Sequence, residues 1–111
     1  MSTSILDDVK HTLGLLPEDT AHDSDVIMHI NTAFSELTQI GAGPVAGYMI
    51  TGKEDRWDAF FTDARLNSIK SYIFLKVKLI MDPPGTSFGI QAMERQLTEM
   101  QFRINVVADY G

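Results

Sequence analysis

The chain has 111 residues, a formal net charge of −6 and no cysteine. That length fits one domain, and a hydrophobic content of 44% allows a real core and excludes a disordered chain. The missing cysteines exclude a disulfide scaffold, a thiol nucleophile and thiolate metal sites, and the negative charge is opposite to that of a generic nucleic-acid binder.

The opening "MSTSILDDVK" places acids where the basic region of a signal peptide would stand, so a soluble, intracellular product is expected. Ser4 is a candidate N-cap with Asp7 three residues on. Ile5, Leu6, Val9 and Leu13 then share one face, and Gly14 can close the turn, which predicts a first helix over about 4–14. "LPEDTAHDS" is a polar connector. Val26, Ile27, Ile30, Phe34, Leu37 and Ile40 keep a three-four spacing and predict a second helix over about 23–40, with Gly41 just past its end.

Residues 41–54, "GAGPVAGYMITGKE", break the pattern with four glycines and a proline and read as a loop, with room for a short extended piece at 48–51. A third helix is predicted over about 58–81. Its last part, "YIFLKVKLIM", is apolar on most sides, which suits a helix with neighbours all round, and it is far too short to span a membrane. Asp82, Pro83 and Pro84 must stop it, because a residue before proline is pushed out of the α region. A fourth helix is predicted over about 87–108. Ile90, Met93, Leu97, Met100, Ile104 and Val107 form a seam expected to pack on the third helix as an antiparallel hairpin. The fold class expected is therefore all-α, a small four-helix bundle in a single domain.

Charge is uneven along the chain. Residues 1–40 hold seven acids against one base, Lys10, while the remainder is balanced at eight of each. An acidic solvated face is the plain reading of that excess. Arg65, Lys70, Lys76 and Lys78 give the third helix a basic strip. It is either a set of snorkelling side chains or a surface that meets the acidic third of a second copy.

Chemistry is hard to find. Gly47, Gly52 and Lys53 fit a phosphate-binding loop until its last position, where Glu54 replaces the Ser or Thr that would hold magnesium, and no hydrophobic strand precedes it. Asp25 and His29 lie one helical turn apart, but two ligands do not make a metal site. Glu54, Asp55 and Asp58 stand at a helix start, where the macrodipole alone favours acids. Trp57, Phe60 and Phe61 form an aromatic cluster that reads first as core packing and second as an anchor for the loop or a partner. No catalytic, cofactor or metal residue is expected.

"LDDVKHTLGL", an acidic connector, "VIMHINTAFSELTQIG", a glycine loop and "SYIFLKVKLIMDPPGTSFGIQAMERQLTEMQFRINV" together resemble the head-tail connector (adaptor) proteins of tailed bacteriophages. The most specific block is the last, which ends in "FRIN", with Phe102 where many relatives carry Trp. The resemblance implies a helical, non-enzymatic virion protein of the neck, present in the host cytoplasm before assembly. Such proteins form a dodecameric ring beneath the portal protein. The ring extends the DNA channel, passes the genome without sequence-specific binding, and meets a downstream stopper or tail-completion protein.

Two sets of contact residues follow as expectations from that resemblance. Phe102, Val106 and Tyr110 lie off the seam near the chain end and are expected at the portal, with a core role for Phe102 as the alternative. Tyr48, Met49, Ile50 and Lys53 of the loop, with Trp57, are expected between subunits. Two rival functions remain open at this point. One is a small phage-encoded helical regulatory or host-interaction module, and the other is an enzyme using the phosphate-loop-like segment.

Overall fold

The structure is a computed structural model that describes residues 4–39, 49–59 and 65–110. Within them stand four α-helices: α1 (Ile5–Thr12), α2 (Asp23–Gln39), α3 (Arg65–Met81) and α4 (Ser87–Tyr110). The all-α bundle expected from apolar spacing is what forms. The predicted start of the third helix is described only in part. Trp57–Ala59 is a 3-10 turn, and α3 itself is described from Arg65. Residues 60–64 between them lie outside the described residues, and Trp57 itself is buried and tied to α1.

The helix ends follow local chemistry. The Ser4 hydroxyl accepts from the Asp7 amide at 3.3 Å, capping α1. At the other end Gly14 takes φ +79, where an L side chain is strained. The Gly14 amide donates to the His11 carbonyl and the Leu15 amide to the Lys10 carbonyl, the paired bonds of a Schellman ending.

The corner at 82–87 turns the chain as expected. The Asp82 amide closes the last turn of α3 on the Lys78 carbonyl at 2.8 Å. Thr86 then caps α4, accepting from the Gly89 amide at 3.0 Å through its hydroxyl. A Cβ on Gly89 would lie 2.8 Å from the Pro84 Cβ, so the proline-rich corner packs directly on the first turn of α4 and requires glycine there.

α3 is the central element, packing on α1, α2 and α4. Its Ile69, Tyr72, Ile73 and Val77 are buried with Ile5 and Val9 of α1, and with Val26, Ile30, Phe34 and Leu37 of α2. Leu97 and Ile104 of the α4 seam are buried in the same cluster, and Met100 packs against it. Val107 lies beyond the described side chains. Of the seam predicted for α4, Leu97, Met100 and Ile104 join this core, while Ile90 and Met93 are half-buried and stand outside it.

Candidate assembly surfaces

Three polar clasps lock the interior. The first holds the chain between α2 and α3. The Asn31 amide group donates to the Ile50 carbonyl at 3.0 Å, and its oxygen accepts from the Ile50 amide at 2.8 Å. One side chain of α2 therefore satisfies both backbone groups of an irregular segment. The Asp55 carboxylate accepts from the amides of Thr51 and Gly52, closing the turn between them. The Asp55 carbonyl in turn accepts from the Ile5 amide at 3.0 Å, and Ser4 and Arg56 form an isolated antiparallel bridge. This bridge is the only β-type pairing among the described residues.

Trp57 completes that clasp. Its indole N–H donates to Asp8 Oδ2 at 2.8 Å, and the Phe74 ring meets it edge-on at 5.8 Å. The Lys70 ammonium sits 5.4 Å from the indole centroid, within cation–π range.

The second clasp is ionic. Lys10, 1% exposed, reaches from α1 to Asp23 Oδ1 at 2.8 Å and donates to the Pro17 carbonyl at 3.0 Å. The lone base of the acidic third is therefore buried, and it ties α1, the connector and the start of α2 together. A buried charge is tolerated only when paired in this way.

The third clasp joins three helices. The Tyr72 hydroxyl donates to Glu36 Oε2 at 2.7 Å and accepts from the Gln101 amide at 2.7 Å. Lys76 approaches the other Glu36 oxygen at 3.3 Å. Burial, and then the hydrogen bond to Glu36, push the Tyr72 hydroxyl well above its ordinary pKa, so it stays protonated. Sequence spacing shows none of these three clasps, because each partner lies on another element.

The expected contact residues divide sharply. Ile50 and Trp57 are buried in the subunit's own core, while Met49 and Lys53 are exposed. Tyr48 lies outside the described residues. The basic strip of α3 is mostly engaged within the chain. Lys76 pairs with Glu36, Lys70 lies over Trp57, and Lys78 pairs with Asp82 at 3.2 Å in the open. Arg65 has no described side chain.

What the fold does leave outside is one face of α4. Phe88 and Phe102 are 80% and 71% exposed. They are fourteen residues apart with exposed Arg95 midway, so all three fall on one stripe, about 21 Å from end to end. That stripe points away from the Leu97–Ile104 seam. The exposure removes Phe102 from the core. The side chains of Val106 and Tyr110 lie outside the described residues, although both belong to α4.

The described residues contain no group of three His, Asp or Glu that could hold a metal ion, and no described helix is long and apolar enough to cross a membrane. A concavity of about 750 Å³ is a wide opening lined by Ser4, Asp7, Asp8, Lys53, Glu54 and Arg56. Lys53 shares that opening with Arg56 and with the acids Asp7, Asp8 and Glu54.

No curated protein and no solved structure matches the chain. A family model does: that of the phage connector protein matches residues 5–111, which takes in all four helices and the clasps between them. The chain belongs to the phage connector protein family.

Proposed function

We propose that this protein is a ring-forming neck component that sits beneath the portal, extends the DNA channel and joins the capsid to the next neck or tail protein. The observation that carries this is the family match from the first residue of α1 to the end of the chain. A bundle closed by its own clasps, with aromatic side chains left on the outside of its longest helix, suits a subunit made for assembly. The charge of −6 suits a channel wall, because an acidic surface does not bind the passing genome by counterion release.

Within this proposal the C-terminal end of α4 docks on the portal through Phe102, Val106 and Tyr110. Of the loop residues, Met49 and Lys53 are the described ones available to neighbours, since Ile50 and Trp57 serve the subunit's own core. Cryo-electron microscopy of particles carrying a label on this chain tests the proposal. Label at the portal vertex is expected, together with DNA-filled, tailless heads when the chain is withheld. Label elsewhere, or complete infective particles without the chain, would overturn it.

A further inference from the structure

We infer that the outward stripe of α4 docks on the outward face of α2 of a second copy, antiparallel, with Arg95 opposite Asp25. This rests on the ring reading above and goes beyond it by naming the two faces that meet.

On α4 the stripe carries Phe88 and Arg95, seven residues apart and both exposed. On α2 the buried residues Val26, Ile30, Ala33, Phe34 and Leu37 define the inner face. The opposite face shows Asp25, Met28, Thr32 and Ser35, all exposed. Asp25 and Thr32 are also seven residues apart, two helical turns. Laid antiparallel, Arg95 meets Asp25 and Phe88 meets Thr32, with Met28 falling between them. A thioether is well suited to the edge of an aromatic ring, and Thr32 and Ser35 are small enough for close approach. A parallel alignment that keeps Arg95 on Asp25 would bring Phe102 rather than Phe88 to Thr32. Phe102 belongs to the portal end in the reading above, so the antiparallel alignment leaves both contacts their own residues.

The wider electrostatics agree. The acid excess of the chain lies in residues 1–40, which include α2, and Lys10, the base in that stretch, is buried against Asp23. A cation on α4 is therefore drawn to this face of another copy. α2 and α4 are separate flanks of the subunit, each packed on α3, so the contact is head-to-tail and repeats from copy to copy.

The natural chain has no cysteine, so a single engineered pair reports the contact cleanly. In the full chain carrying Asp25→Cys and Arg95→Cys, a short bis-maleimide should give a ladder of covalent multimers, each one chain larger than the last. Moving the second cysteine to Gln96, off the stripe, should abolish the ladder. Both positions of the pair are exposed, and circular dichroism checks that the fold is kept. In an independent arm, Arg95→Asp should weaken self-association by about tenfold or more in ultracentrifugation, and adding Asp25→Arg should restore it. Multimers that form without the 25–95 ladder would overturn this inference and leave the ring standing. Covalent dimers and nothing larger would overturn the head-to-tail arrangement. A chain that stays monomeric without cross-links overturns the inference too, and the ring is then decided by the labelled particles.

Discussion

The clasp around Trp57 and the outer face of α4 are built from the same kinds of residue and do opposite things. Both offer an aromatic ring with a cation nearby, Lys70 over Trp57 and Arg95 between Phe88 and Phe102. Trp57 is buried, hydrogen-bonded to α1 and met edge-on by Phe74 of α3. The two phenylalanines touch little of their own subunit. An aromatic residue beside a charge therefore does not by itself mark an interface. What separates the two cases is whether the chain's own elements supply the partners. At Trp57 three elements converge, and on the outside of α4 none does.

The sharpest way to break the comparison is to remove the clasp. Trp57→Ala should destabilise the isolated chain by about 3–5 kcal/mol, the range for emptying a buried aromatic site, measured by denaturant unfolding. A loss below 1 kcal/mol would mean that the clasp is not part of the folded core. Next comes Lys10→Met, which strands Asp23 at the start of α2. A loss of about 2 kcal/mol is expected, moderated because Asp23 is 26% exposed. Lys10→Met with Asp23→Asn should recover part of it, since the uncompensated charge is then gone.

Tyr72→Phe should cost about 1–2 kcal/mol, because Gln101 loses its acceptor and Glu36 a donor. It also has a pH signature. The folded pKa of Tyr72 is raised, so the stability tied to its neutral form is complete below the unfolded value of about 10 and is lost as pH rises above it. The parent should therefore weaken above about pH 10 more steeply than Tyr72→Phe. Parallel alkaline slopes would show that the hydroxyl is not held as described. Because Gln101 belongs to α4, amide exchange in α4 should rise more than in α1.

Much of the fold is legible in the sequence because apolar spacing is local. The seam of α4, the caps at Ser4 and Gly14 and the proline corner all rest on residues within one or two turns of each other. The clasps are not legible in this way. Asn31 and Ile50 are nineteen positions apart, Tyr72 and Glu36 thirty-six, and Asp8 and Trp57 forty-nine. Nothing in periodicity pairs such residues. The same blindness explains why Ile50 and Trp57 look like interface residues in a glycine-rich stretch, and why the α3 lysines look like a free basic strip. Spacing alone puts Phe102 off the seam, and its exposure agrees. Lys10 gave no signal, since a buried lysine and a surface one look alike until the acid facing it is known.

The smallest effect on folding and the largest on assembly should come from the same change. Phe88→Ser with Phe102→Ser alters two exposed side chains, so the unfolding free energy of the isolated chain should stay within about 0.5 kcal/mol per site of the parent. In infected cells the same double variant should yield DNA-filled heads that fail to acquire tails. Measuring both properties on this one variant tests most directly whether the bundle is complete in a single chain and leaves the outside of α4 for its partners. A parent-like melt with tailless heads is the expected result. A chain that unfolds early yet joins particles normally would contradict it.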